Sequence, residues 1–393
     1  MQAIYCDESC RMKAKSIHRF ECKSIPSFHA FIAADHLLKA IRIIFKVGSK
    51  LLFRIFQTND PKYMNPDEPF GTTPNSVYDS QSYLSVFHLQ AHSDKLICKD
   101  RIKHAAWALM ATEILESKTP FFDHIPANRK SEFKNFVAAA IVRHIEADGV
   151  NGGVVIELYG LENVSFPSKY GGESSQSIIS SLEVRAFAGA IYPVVSLINH
   201  SCDPNVSILH HITNGKMVVV AHRSLKKGEP LHIMYNGGFL QFDIQQRQAY
   251  VLENYYFKCH CIACEQNWPT LYELIKQKAT ACCPTCSKGF FEQDKGSGEF
   301  KNCLLTRPNW KCGSCGKHYK EEKLMSQLKA KAGARAEIVG LLESCRLTEA
   351  CDAFLKVSDY YQFHLCPPNG QLQAMQELFR KTILLMFYFS EQL

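Results

Sequence analysis

Residues 192–205 read YPVVSLINHSCDPN. An aliphatic run ends in four crowded polar and sulfur-bearing positions, Asn199, His200, Ser201 and Cys202, and an Asp-Pro-Asn turn follows. Outward toward the C-terminus, GEPLHIMYN (228–236) places Tyr235 at the end of a short β-rich run, and YYFKCHCIAC (255–264) places three cysteines in a CxCxxC spacing. Each string alone is a weak signal. Their order and spacing together make one specific signal.

Around these strings the texture is that of a small β domain. Runs at Val154–Leu158, Ala190–Leu197, Val206–Ile212, Met217–Ala221 and Leu231–Met234 are separated by Gly, Asn, Pro and Lys-Gly turns. The Ser/Gly-rich stretch Glu162–Ser180 reads as a surface loop, and Gly152-Gly153, Gly171-Gly172 and Gly237-Gly238 read as turns. The first third is helical: periodic apolar positions predict helices over Phe31–Ile55, Asp100–Ser117 and Arg129–Glu146. The segment Lys39–Gln57 is basic and amphipathic, which admits a membrane-surface helix; a helix buried on its apolar side is the expectation adopted. From Glu321 onward helical periodicity resumes, and Leu324, Ile338, Leu342, Phe354 and Val357 suit stacked antiparallel helices, with a last helix over Gln371–Tyr388 after Pro367 and Pro368.

The cysteines bound the chemistry. Of seventeen, eleven fall into CxC, CxxC, CxxxC and HxxxC spacings, which suit metal sites better than disulfides and imply reduced thiolates, hence cytoplasm or nucleus. Cys283, Cys286, Cys312 and Cys315 form two CxxC pairs separated by 25 residues, a ribbon-type zinc signal expected to brace structure, with Cys282 competing for the first position. The N-terminus lacks the apolar core of a signal peptide, and no stretch is long and apolar enough to span a membrane. A net charge of +7 spread over 45 basic and 38 acidic residues is too mild to argue for nucleic acid, although Lys301, Lys311, Lys317 and Lys320 lie near the ribbon.

Taken together, the strings at 192–205, 228–236 and 255–264 resemble the C-terminal half of a SET domain with its cysteine-rich post-SET tail. CDESCRMKAKSIHRFEC, carrying Cys6, Cys10, His18 and Cys22, is similar to the second half of a MYND zinc finger. The combination resembles the SET-and-MYND protein-lysine methyltransferases, in particular the branch with TPR-like helices. The implied fold is α+β: a partial MYND-type finger at 1–25, a helical SET insertion at 26–150, the SET core at 151–245 and a post-SET cysteine motif at 246–268. The zinc ribbon at 279–318 and a helical TPR-like region at 319–393 complete it. In that family Cys6 and Cys10 would serve one zinc ion and His18 and Cys22 another, so each ion would find half its ligands here. The glycine-rich GxG strand that precedes the finger in the family is also not found.

The resemblance further implies two cofactors, S-adenosyl-L-methionine and Zn2+. Asn199 and His200 would bind the methyl donor, Tyr235 would be the catalytic tyrosine and part of the donor site, Phe257 would stack on adenine, and Tyr255 would line the lysine channel. Cys202 would complete the zinc site of Cys259, Cys261 and Cys264. Methyl transfer to a neutral lysine amine by in-line displacement needs alignment across a narrow, dry channel more than a strong acid. The expected partners are protein substrates, histone or non-histone, and proteins bound through the finger remnant and the C-terminal helices; membranes are not expected and nucleic acid is disfavoured. One departure is Tyr159, in IELYGLEN, where the family usually has a donor-binding Asn. It favours the alternative of a catalytically inactive SET and zinc scaffold for protein–protein interaction in transcriptional repression.

Overall fold

The computed structural model describes residues 5, 7–29, 35–58, 78–159, 183–210, 215–235, 242–276, 283, 285–286, 291–292, 310–312, 314–319, 333–344, 346–365 and 367–390. The expected loop at 162–180, the glycine pairs at 171–172 and 237–238, and Cys6, Asn236 and Cys282 lie outside these residues. The chain forms two compact units, one of residues 1–154 with 188–197 and one of residues 155–187 with 198–393.

The first unit is built from helices α1 (Glu8–His29), α2 (Asp35–Val47), α3 (Ser49–Thr58), α4 (Tyr83–Phe87), α5 (Cys98–Lys118) and α6 (Ala127–Asn151). Apolar residues recur on α2 at helical spacing, and Leu37, Ala40, Ile41, Ile44 and Phe45 are all buried, so the apolar side of this basic segment faces protein. The single helix expected over Phe31–Ile55 is two. Gly48, at φ +79°, separates them in a left-handed conformation that glycine adopts at little cost, and Leu52 and Ile55 of α3 bury beyond it. The core closes on an aromatic stack: Phe20 lies 5.2 Å from Phe45 and 5.7 Å from Phe121, centroid to centroid. The buried Asp148 carboxylate of α6 is bonded by Lys39 Nζ at 2.6 Å and His36 Nδ1 at 2.5 Å, tying α2 to α6.

Strands β1 (Gly152–Tyr159) and β2 (Glu183–Ile191) pair with each other. The strand expected over Ala190–Leu197 stops at Ile191: Pro193 offers no N–H to a ladder, and the Ser196 N–H turns back to the Tyr192 carbonyl at 2.9 Å. In the second unit, β3 (Asn199–His200) runs parallel to β6 (His232–Ile233), and β4 (Val206–His210) runs antiparallel to β5 (Met217–Ala221). The strand expected at 231–234 is thus shorter at both ends, and the one expected at 206–212 runs from Val206 to His210, the last residue described before 215.

The C-terminal helices, α10 (Ala334–Glu343), α11 (Leu347–His364) and α12 (Gly370–Ser390), stack as expected, with the Phe354 and Phe379 rings 4.2 Å apart and nearly parallel. They are part of the same compact unit as the strands. Ser358 Oγ donates to the His222 carbonyl at 2.9 Å, Ser224 Oγ to Asp359 Oδ2 at 3.0 Å, and Gln373 Nε2 to Asp203 Oδ1 at 3.2 Å.

Candidate active site and cysteine centres

The site begins where β3 and β6 lie side by side, Asn199 opposite His232 and His200 opposite Ile233. Strand alternation turns His200 inward, where it is buried, and leaves Asn199 exposed. The crossing is locked just beyond the strands. The Ser201 N–H donates to the Ile233 carbonyl at 2.9 Å, the Asn205 N–H to the His232 carbonyl at 3.2 Å, and the His232 N–H to Asn205 Oδ1 at 2.8 Å. Asn205, the last residue of the opening string, is therefore a splint for the crossing.

Tyr235 leaves the end of β6 into this crossing. Its N–H donates to His200 Nδ1 at 3.0 Å, and its hydroxyl donates to the Ile198 carbonyl at 2.8 Å. The rings of Tyr235 and Tyr255 are 4.7 Å apart, those of Tyr235 and His200 5.2 Å, and Phe257 stands edge-on to Tyr235 at 6.5 Å. Four residues drawn from three separate stretches of sequence thus form one aromatic cluster. Burial pushes the Tyr235 phenol up and, with the neighbouring phenols of Tyr250 and Tyr235, pushes Tyr255 up to about 12, so both hydroxyls stay protonated and able to donate. Burial also lowers His200 to about 4, keeping its ring neutral at physiological pH.

On the other side of His200 lie four sulfurs. Cys202, Cys259, Cys261 and Cys264 bring their Sγ atoms within 4.8 Å of one another, and Cys202 and Cys264 are 3.6 Å apart. Tetrahedral zinc with bonds of ~2.3 Å sets sulfur–sulfur edges of about 3.8 Å, so the cluster has the size of a Zn(Cys)4 site. Its electrostatics agree. Hydrogen bonds with Cys259 and Cys261 raise Cys202 far above the ordinary thiol range, while Cys261, accepting from Cys202 and Cys259, is lowered. Packed thiols share protons in this way, and a divalent cation is what allows all four to ionise together.

Helix α7 (Ile244–Tyr255) organises this knuckle, starting from a capping box in which the Gln246 N–H donates to Asp243 Oδ1 at 2.9 Å. Gln248 clamps Cys259 by both amide groups, accepting from its N–H at 3.0 Å and donating to its carbonyl at 2.7 Å. Arg247 is fully buried and donates to the carbonyls of Phe242 at 2.7 Å and Ala263 at 3.1 Å. Tyr256 ends the helix at φ 62°, a sharp reversal that delivers Phe257 to the aromatic cluster and Cys259 to the sulfurs. Helix α8 (Ile262–Glu265) then carries Cys264, and α9 (Leu271–Lys276) follows it.

The second quartet is separate. Cys283, Cys286, Cys312 and Cys315 also gather within 4.8 Å, with Cys283–Cys315 and Cys286–Cys312 each at 3.6 Å, beside the three-stranded sheet of β7 (Phe291–Glu292), β8 (Trp310–Cys312) and β9 (His318–Tyr319). This set also fits zinc. It is less enclosed, since Cys283 and Cys312 are buried but Cys315 is exposed.

Comparison with known proteins finds relatives of this sequence. The SET domain family model matches residues 57–236. Protein-lysine N-methyltransferase SMYD4 of Danio rerio is 25% identical over 395 residues, covering 88% of this chain and 49% of its own. The chain thus carries a stretch similar to SET domains and, over most of its length, resembles this SET-and-MYND relative. The SET domain and MYND-type zinc finger protein 6 of Schizosaccharomyces pombe is 30% identical over 190 residues, 47% of this chain and 36% of that one. Histone-lysine N-methyltransferase SMYD3 of Mus musculus is 32% identical over 113 residues, 25% of each chain. The chain spans about half the length of the Danio rerio relative it matches, and less of the others.

The N-terminal segment is helical. Cys10, His18 and Cys22 all lie on α1, and the His18 ring packs edge-on against Tyr5 at 5.9 Å. A helix rises ~1.5 Å per residue, so His18 and Cys22, the pair expected to serve one ion, stand about one turn apart on α1, while Cys6, the expected mate of Cys10, lies outside the described residues. Among the described residues these three do not gather with further metal-ligating groups as the two quartets do. The SET-and-MYND resemblance pointed to the ligands and the aromatic cluster but not to Arg247, Gln248 or Asn205; a capping-box pattern at Asp243–Gln246 was the one local signal that a well-defined helix starts there.

Proposed function

We propose that the chain is an S-adenosyl-L-methionine-dependent protein-lysine N-methyltransferase whose post-SET zinc site secures the donor end of the active site. The observation that carries this reading is the convergence of Tyr235, Tyr255, Phe257 and His200 beside the Cys202–Cys259–Cys261–Cys264 centre. The donor supplies an activated methyl group. This chain's residues bind, orient and dry the reaction: Asn199 and the His200 main chain hold the donor, Phe257 packs on its adenine, and Tyr255 borders the lysine channel. Tyr235, protonated and pinned to Ile198, presents phenol oxygen density to the methyl as its partial positive charge shifts. Zinc at both quartets braces the fold, and thiolates kept reduced in this way point to cytoplasm or nucleus. Protein lysines are the substrate class, and the C-terminal helices and N-terminal segment are surfaces for protein partners.

A scaffold without methyl transfer is the second reading. Tyr159 on β1, where the family usually has a donor-binding Asn, favours it. Calorimetric titration of the zinc-loaded chain with S-adenosyl-L-methionine separates the two. Micromolar binding, about −8 kcal/mol, supports the enzyme, and absence of binding supports the scaffold.

A further inference from the structure

The His200 imidazole has two polar contacts at opposite ends of one buried ring. Nδ1 lies 3.0 Å from the Tyr235 main-chain nitrogen, and Nε2 lies 3.4 Å from Cys202 Sγ. A backbone N–H can only donate, so Nδ1 must present its lone pair. In a neutral ring the proton then sits on Nε2, facing the sulfur. One tautomer satisfies both contacts, and the two partners between them select it.

We infer that the His200 side chain is a positioning residue that couples the four-cysteine centre to the strand end carrying Tyr235. The inference rests on the reading of that centre as a metal site. A metal-bound Cys202 is a thiolate and a strong acceptor for Nε2–H; a neutral thiol is a weak one. The orientation of the ring, and with it the acceptor offered to the Tyr235 N–H, therefore depends on whether the sulfur is metallated. Neither partner alone defines the ring: the Tyr235 contact leaves it free to tilt about Nδ1, and the Cys202 contact leaves Nδ1 unaimed. The role belongs to the side chain and is distinct from any main-chain contact of His200 with a methyl donor. It also accounts for a histidine between Asn199 and Ser201, where the main-chain contacts of β3 would be met by many residues.

Two substitutions divide the two arms. In His200→Asn the side-chain oxygen sits near the Nδ1 position and can accept from Tyr235, but nothing reaches Cys202. In His200→Gln the amide nitrogen reaches toward Cys202, but the acceptor for Tyr235 is lost. Each variant is loaded with cobalt(II), and the thiolate-to-cobalt charge-transfer bands are recorded as difference spectra against the parent chain, in which the unaltered ribbon cancels. Amide hydrogen exchange of the peptide containing Tyr235 is measured on the zinc-loaded forms. We expect His200→Asn to shift the charge-transfer bands to lower energy while protection at Tyr235 stays within about twofold. We expect His200→Gln to leave the bands in place and to accelerate exchange at Tyr235 about five- to tenfold, the loss of one buried hydrogen bond. Bands and exchange unmoved in both variants, with full metal in the parent chain, overturn the coupling alone. A parent chain that takes up cobalt only at the ribbon overturns the metal reading and the coupling with it.

Discussion

The guanidinium of Arg247 donates to the main-chain carbonyl of Ala263, the residue before Cys264, at 3.1 Å, from a position with no solvent exposure. It also donates to the main-chain carbonyls of Phe242 and Trp268, so it fastens the knuckle of the four-cysteine centre to α7. Arg247→Met should destabilise the folded chain by about 3 kcal/mol, since buried carbonyls lose a charged donor. Zinc should leave the variant faster under chelation, and Arg247→Lys, which lacks the planar fork, should restore only part of the loss. Chemical denaturation and a colorimetric zinc-release assay report both quantities.

Metal content follows from the two quartets. Purified chain should carry two zinc ions bound by cysteine, and Cys261→Ser should lower the count by one and reduce thermal stability. Unchanged zinc content in that variant would count against Cys261 as a ligand.

Tyr235→Phe removes a hydroxyl that donates to the Ile198 carbonyl. Its stability cost should be about 1 kcal/mol, whereas methyl transfer should fall at least about a hundredfold with donor affinity little changed. Undiminished turnover would exclude Tyr235 as the catalytic tyrosine.

Acid sensitivity has a local source at Glu229, which leads into β6. Hydrogen bonding from Arg223, and then from the Lys226 N–H at 3.1 Å, holds its carboxyl down from 4.5 to about 2. A carboxylate with a depressed folded pKa stabilises fully above its ordinary value, and that stabilisation is lost as pH falls through the folded one. Glu229→Gln should therefore lower the denaturation midpoint at neutral pH, with the gap to the parent closing between pH 4.5 and about 2. A gap that stays constant across this range would exclude the ion pair as its cause.

The legibility of these features in the sequence depended on what kind of partner each residue has. CxCxxC and the paired CxxC motifs were readable because several ligands of one ion sit close together in the chain. Cys202 and the aromatic cluster were readable only through the SET-and-MYND resemblance, since nothing local ties Tyr235 to Tyr255. Arg247 and Gln248 were not readable, because their acceptors are main-chain groups that have no sequence identity. Helical periodicity identified the buried faces of α2 and α11, yet it could not say that Gly48 would divide the first helix or that Ser358 would reach the His222 carbonyl.

The bond from Gln373 to Asp203 spans 170 residues, and Asp203 follows Cys202 directly. During synthesis, Cys202 leaves the ribosome well before the sulfurs it joins and earlier still than the helix that steadies its turn. Long-range closures of this sort are late events, because the entropy of the intervening loop must be overcome first. Until α12 has emerged, the nascent chain carries exposed thiols and an unbraced turn. That interval is when it is most open to oxidation and to capture of the wrong metal.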